Sequence, residues 1–262
     1  MKTNLGLASK IWEVVYPVGM YYVAITIGIF AAQCFFGTGI ENYMICKILG
    51  SLLAIPVIYP YYKHDLIFEG TYKQKFLFSS EVIKNIIIIL IFSACIGIGL
   101  NNVICMSPLV ELSEGYEEAS EAFYGSTIWL ELLGSALITP ILEELLHRGI
   151  VYKRLRNMFG LFPAIIVSAF IFAGLHFNIV QFLYAFLLGL VFAIFMEKAK
   201  HLYAPILAHI IANTIAVIRT ETGILENTVD GSVFAWTVSV VLLIIGIGSI
   251  LFYAKNEIKW NK

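Results

Sequence analysis

Two adjacent carboxylates, Glu143 and Glu144, close a stretch from Ile128 to Leu146 that is otherwise apolar enough to cross a membrane, and Arg148 follows shortly after. Ionisable groups at membrane depth are costly, so a cluster of them marks a candidate site. Successive helical residues point about 100° apart, so both carboxylates cannot face one cavity squarely and their roles should differ. Glu144 and Arg148 stand in the i,i+4 order that favours an ion pair on one face, which leaves Glu143 as the freer base. A cytoplasmic helix end with merely solvated charges would carry the same residue types. Pro140, three residues before Glu143, removes a backbone donor and is expected to bend the helix there.

His176 and the pair His209 and Asn213 are the next candidates. If the segments flanking Phe159 and Gly160 form a helical hairpin, Glu143 lies about 16 residues before the turn and His176 about 16 after it, which brings them level. Ala173 and Gly174 are small enough for close helix approach. Phe172, four residues before His176, shares its face, as a wall of a cavity or as packing. His209 and Asn213 share a helix face by the same spacing. His209 lies roughly 12 Å beyond Lys200, and Glu143 roughly 16 Å before Arg154, so their depths are compatible. Alone, His176 reads as a hydrogen-bonded core histidine, and His209 with Asn213 as interhelical glue. Glu131, His64, His147 and His201 have no such partners in the sequence and read as structural or solvated.

A carboxylate and an imidazole across a small wet cavity can strip a proton from water, and a second imidazole with a carboxamide can donate to a developing oxyanion. That set supports peptide-bond hydrolysis without a covalent intermediate. The same Glu143, His176 and His209 would also suit zinc. The residue types leave both options open.

The elements that must position these groups are membrane helices. Of 262 residues, 60% are hydrophobic and 13% charged, with a mean hydropathy of +0.86. Too little polar surface remains to cover a water-soluble domain. The net charge of −1 argues for neither nucleic acid nor an acidic partner. Cys34, Cys46, Cys95 and Cys105 show neither paired nor metal-type spacing and read as lipid-facing or packed thiols. The first apolar run, Ile11 to Phe36, is too long for a signal-peptide core of roughly 7 to 15 residues.

Windows of about 20 apolar residues predict an all-α, polytopic protein of about eight spans. They fall near 11–36, 43–62, 82–104, 127–147, 162–177, 178–197, 204–219 and 233–254, with the candidate catalytic helices within about 127–219. One membrane domain over 1–262 is the simplest organisation. Every second connection is basic, carrying Lys63, Lys73, Lys75 and Lys84, then Arg148, Lys153, Arg154 and Arg156, then Lys198 and Lys200, then Lys255, Lys259 and Lys262. The others are neutral or acidic, above all Glu111, Glu114, Glu117, Glu118 and Glu121. With Lys2 and Lys10, the positive-inside rule puts both termini in the cytoplasm of a multi-pass plasma-membrane protein. Trp12, Tyr16, Tyr59, Tyr61, Tyr62, Trp129, Trp236 and Tyr253 fall near span ends, as interfacial aromatics do. Leu66, Ile67, Phe68, Phe76, Leu77 and Phe78 in the loop between Lys63 and Lys84 suggest a segment on the cytoplasmic interface.

Glu143-Glu144-Leu-Leu-His-Arg148, Phe172-Ala-Gly-Leu-His176 and His209-Ile-Ile-Ala-Asn213 resemble, in order, the three motifs of the CPBP intramembrane proteases, EExxxR, FxxxH and HxxxN/D. That family includes type II CAAX prenyl endopeptidases and bacteriocin-processing or bacteriocin-immunity proteins. The motifs cover roughly Ser135 to Ile215, and the outer spans match only as hydrophobic helices. The resemblance implies an eight-helix protease with a cavity opening toward the cytoplasm, in which Glu143 activates water with His176 while His209 and Asn213 stabilise the oxyanion. It implies membrane lipid and a membrane-associated or lipidated peptide as partners. Members are often labelled metalloproteases, but the glutamate-base mechanism needs no metal, and a metal-free site is favoured here over zinc. CAAX-type cleavage, pheromone or bacteriocin processing and self-immunity are all consistent with it. Two other classes stay open: a catalytically silent membrane immunity or interaction protein, and an ion- or proton-coupled transporter. The inverted repeats and broken helices usual in transporters are not evident in the sequence.

Overall fold

The computed structural model describes residues 6–73, 80–113, 115–176 and 178–255. Lys2, Lys75, Phe76, Leu77, Phe78, Glu114, Lys259 and Lys262, used in the loop and charge expectations, lie outside them. The described residues are helical, with no strand among them. We label the helices α1 (Leu7–Phe36), α2 (Ile40–Phe68), α3 (Ser80–Cys105), α4 (Tyr116–Tyr124), α5 (Ile128–Phe159), α6 (Leu161–Gly174), α7 (Ile179–Ala199), α8 (Tyr203–Thr222) and α9 (Val233–Lys255).

Each predicted apolar window falls on one of these helices, but the expected count of eight spans is not reached. Six helices are long and apolar enough to cross a membrane, or up to seven if the bent pair α4 and α5 counts as one span. The two axes of that pair differ by 106°. α6 has 14 residues, about 21 Å of helix at 1.5 Å per residue, against a hydrocarbon core of about 30 Å. Outward-facing apolar side chains agree with a lipid solvent. Ile27, Phe30, Ile244 and Leu251 are each more than 60% exposed, a pattern that water would not support on every outer helix.

Close helix approach is encoded by small residues. α1 packs on α2 where Gly28 faces Gly50, and a Cβ added at Gly28 would lie 2.8 Å from the Gly50 Cα. α3 packs against α8 and α9, and α6 against α7. The turn between α5 and α6 is the single residue Gly160, at φ +89°, so the predicted hairpin forms around the expected glycine. α7 starts at Asn178, whose side chain accepts from the Gln181 amide at 2.8 Å, satisfying one donor of the first turn.

The buried apolar residues form two large clusters and a small one of Phe172, Ala173 and Ala185. One large cluster joins α1, α2, α5 and α6 through Tyr21, Ile58, Leu142, Leu146 and Ala164. The other joins α3, α7, α8 and α9 through Phe92, Phe192, Phe195, Ala208 and Tyr253. Tyr253, expected at a membrane interface, is instead buried edge-on to Phe195. Trp12 and Trp129 are largely exposed, in keeping with interfacial anchoring.

The basic connections share one end of the bundle. Arg154 is buried, and its guanidinium donates to Asp65 at the end of α2 and to the Glu13 carbonyl on α1, at 2.7 and 2.6 Å. Arg156 and Lys200 both pair with Glu197 near the end of α7, at 3.1 and 2.8 Å. These ties bind four helices at the end from which the acidic α4 is absent.

Candidate active site

α5 is not a uniform α-helix. Two π-helical stretches, Leu132–Ile138 and His147–Tyr152, flank one α-helical segment, Thr139–Leu146, that carries the acidic pair. Pro140 sits in the first turn of that segment, where its missing N–H follows the first widened stretch rather than breaking a regular ladder. π-Helical insertions are rare and recur at functional sites.

The two carboxylates part as their spacing requires. Glu144 is fully buried, and Arg148 Nη1 donates to its Oε1 at 2.7 Å. Arg148, equally buried, donates through Nη2 to the Gly189 carbonyl on α7 at 3.0 Å. Glycine fits there because a Cβ at 189 would lie 3.2 Å from the same Nη2. The rings of Phe172 and Phe192 lie 4.7 and 5.2 Å from the guanidinium carbon, so the cation is held by a carboxylate, a carbonyl and two π faces. Glu143, by contrast, lines a cavity of about 160 Å³ together with His176, His209 and Asn213.

His209 joins the pair to the cavity. Its Nδ1 is 3.0 Å from Glu144 Oε1 and its Nε2 is 3.8 Å from Glu143 Oε2. Phe192 stacks on the ring, with centroids 5.0 Å apart. Asn213, one turn on, donates from Nδ2 to the Ser135 carbonyl in the first π-helical stretch at 2.8 Å. That bond uses one of two amide protons and leaves the other for the cavity. His176 lies just beyond the end of α6, with Nδ1 3.1 Å from the Phe172 carbonyl. Since a carbonyl only accepts, Nδ1 is the donor there and Nε2 is left for another partner. Phe172 is central, with its ring centroid 5.1 to 5.6 Å from those of His147, His176 and His209. All the residues singled out from the motifs thus come together around one cavity or directly behind it.

Two residues that the sequence reading passed over also belong here. His147, read as structural or solvated, is fully buried against Phe172, and its Nδ1 donates to the Glu143 carbonyl at 2.7 Å. Its spacing of four from Glu143 was the available signal. Lys47 on α2 lines the cavity, and its Nζ lies 3.8 Å from the Phe123 ring centroid. A lysine inside the second apolar window was the signal for it. Glu131 is buried and accepts from the Ser126 amide at 3.1 Å, whereas His64 is exposed beside Asp65.

The cavity extends toward one end. Asn101 and Ile104 of α3, Tyr116, Phe123 and Tyr124 of α4 and Gln181 of α7 line it beyond the acidic pair. These residues sit at the end opposite the basic connections. The basic end has a separate cavity of about 920 Å³, between Tyr62, Tyr152 and Glu197, that no motif residue lines.

Zinc requires three or four donor side chains, each about 2 Å from one point. No three His, Cys, Asp or Glu side chains among the described residues converge in that way. The described residues therefore offer no group of three donors placed to hold the ion; the Nδ1 contacts of His209 and His176 leave both Nε2 atoms open.

The helices thus set a buried ion pair behind a small cavity lined by a carboxylate, two imidazoles and a carboxamide. Residues 125–215 match the family described as type II CAAX prenyl endopeptidase Rce1-like. A similar protein from Bacillus subtilis (strain 168), named "Putative membrane peptidase YdiL", is 33% identical over 89 residues, which cover 34% of this chain and 36% of that protein. The chain thus spans about a third of the length of that relative. No solved structure matches. Together the two matches support, over the segment that carries the site, the resemblance to the CPBP intramembrane proteases and a membrane protease at the level of family.

Proposed function

We propose that this chain is an intramembrane endopeptidase that hydrolyses peptide bonds of membrane-associated substrates with water activated by Glu143. The observation that carries the reading is the division of labour between the carboxylates: Glu144 is held by Arg148 and His209, while Glu143 faces the cavity beside His176. A water between Glu143 and His176 Nε2 can donate one proton to each, which leaves an oxygen lone pair for the carbonyl carbon of the substrate. Glu143 takes the proton as the C–O bond forms and returns it to the amine as the C–N bond breaks.

The tetrahedral oxyanion then needs donors. Asn213 supplies its second amide proton, and His209 donates at Nε2 when both ring nitrogens carry protons. Arg148, Glu144 and Phe172 act by positioning. Residues 1–262 are read as one membrane unit in which both termini share the basic, cytoplasmic face.

The same rule bears on access. The cytoplasmic entrance implied by the resemblance would require the cavity to reach the basic end, yet its lining runs to α4 and the ends of α2 and α3. We therefore place the entrance on the face opposite the basic connections, which the positive-inside rule makes extracytoplasmic. The test is an impermeant thiol reagent applied to Ser120→Cys in sealed vesicles of known orientation. Labelling from the extracytoplasmic side that a bound peptide blocks supports this entrance; labelling only from the cytoplasmic side refutes it.

A further inference from the structure

The second cavity, of about 920 Å³ at the basic end, has no part in the proposed hydrolysis. Its size falls within the roughly 300–1,000 Å³ of small-molecule sites. Among the described residues four cations line it, Lys153, Arg156, Lys198 and Lys200, against two carboxylates, Glu69 and Glu197. The imbalance is sharpest at the end of α7. Arg156 and Lys200 share the single carboxylate of Glu197, at 3.1 and 2.8 Å, and that carboxylate also accepts from the Tyr152 hydroxyl at 2.6 Å. Arg156 spends Nε and Nη2 on Glu197, which leaves its Nη1 edge for a further acceptor. The Lys200 side chain is 69% exposed, so its other two N–H donors are open as well. Lys153 is matched by Glu69 at 2.7 Å. The complement of such a wall is an anion.

The remaining walls indicate what carries that anion. Tyr59, Tyr62 and Tyr72 supply the amphipathic rings that sit at headgroup level, and Leu66, Val82 and Met196 give the cavity an apolar side. Ile67 and Phe68, which follow Leu66 at the end of α2, are 57% and 60% exposed. That suits a segment lying against lipid, not one in water. A soluble phosphate makes no use of an apolar side, whereas a phospholipid does. The positive-inside rule turns this end to the cytoplasmic leaflet, where anionic lipids lie and basic pockets between membrane helices take their headgroups.

We propose that this cavity binds one anionic phospholipid, with its phosphate held by Arg156 and Lys200 and its acyl chains leaving past Leu66 along α2. The bound lipid ties the ends of α2, α5 and α7 together, and it stabilises the folded bundle by mass action. This binding is independent of the peptide chemistry at Glu143.

Delipidated protein in a nonionic detergent is titrated with phosphatidylglycerol, with phosphatidylcholine carrying the same chains and with glycerol 3-phosphate. Native mass spectrometry reads the bound fraction, and thermal unfolding reads the shift in midpoint. Charge-assisted contacts predict that phosphatidylglycerol binds roughly tenfold tighter than phosphatidylcholine or more, and that it raises the midpoint. The ratio should fall to near one in Arg156→Gln with Lys200→Gln, while phosphatidylcholine binding stays unchanged. It should persist in Lys84→Gln with Lys255→Gln, which removes two exposed charges of the basic connections that do not line the cavity. Lys200→Gln alone, at a largely exposed side chain, should lower the ratio several-fold and carries the test if the double variant does not fold. Equal affinity for the two lipids, or a ratio that survives the loss of Arg156 and Lys200, overturns the site. An equal fall in the Lys84 and Lys255 variant reports diffuse surface attraction and overturns it too. Glycerol 3-phosphate bound as tightly as phosphatidylglycerol does the same, because the ligand is then a soluble phosphate.

Discussion

Arg148→Met removes the cation that holds Glu144 while keeping most of the side-chain volume. Both partners are fully buried and their contact is 2.7 Å, so the variant leaves an uncompensated carboxylate in an apolar interior. Breaking such a pair costs about 3–5 kcal/mol, whereas replacing both members with apolar residues is often near neutral. The double variant Arg148→Met with Glu144→Leu should therefore be more stable than Arg148→Met alone. It still forfeits the partner of His209 Nδ1, a loss of about 1–3 kcal/mol, so a stability difference of about 2 kcal/mol separates the two. At about 2–4 °C per kcal/mol the single variant should melt on the order of 10 °C below wild type, with the double variant recovering part of that. Thermal unfolding followed by tryptophan fluorescence in one detergent gives all four corners of the cycle. Activity should stay low in both variants, because Glu144 loses its orienting cation in the single variant and His209 loses Glu144 in the double one. A double variant no more stable than Arg148→Met would refute the view that Glu144 is an ionised group held by Arg148.

Gly189→Ala should lower activity more than stability, since its Cβ would press on Arg148 Nη2 and Ala169 at 3.1–3.2 Å; overpacking of this kind costs about 1–3 kcal/mol, and an unchanged kcat would count against guanidinium positioning. Peptide hydrolysis by protein stripped with a strong chelator and verified metal-free should match that of untreated protein; loss of activity on stripping, restored by zinc, would show that the arrangement closes around a metal. An impermeant reagent should label Glu117→Cys and Lys153→Cys from opposite faces of sealed vesicles, and labelling of both from outside would overturn the assignment of acidic and basic connections to opposite sides.

The motif residues were legible because their spacing follows helical geometry. Glu144 and Arg148, Phe172 and His176, and His209 and Asn213 are all separated by four, and each pair does meet on one face. The hairpin was legible from Gly160. What stayed hidden depends on packing between distant segments. The π-helical stretches around Thr139–Leu146 leave no periodic signal, because Leu132 to Ile138 is apolar at nearly every position. His147 was set aside as partnerless, although its partners are a backbone carbonyl and a ring on another helix. Lys47 was hidden for the opposite reason: a hydropathy window averages one lysine away, and only the fold shows that it meets Glu143 across a cavity. The predicted window near 162–177 is realised as the 14-residue α6, shorter than the other apolar helices, because the run ends at Gly174.

Glu143 is the residue on which the proposed chemistry depends, and its amide isostere keeps the cavity's shape while removing the base. Purified wild-type protein and Glu143→Gln should be compared on membrane-associated peptides, with Glu144→Gln, His176→Ala and His209→Ala in parallel and with unfolding curves for each. Water activation by Glu143 predicts that Glu143→Gln lowers kcat by about 10²–10⁴-fold at near wild-type stability, while peptide binding persists. Cleavage by Glu143→Gln at the wild-type rate would contradict it.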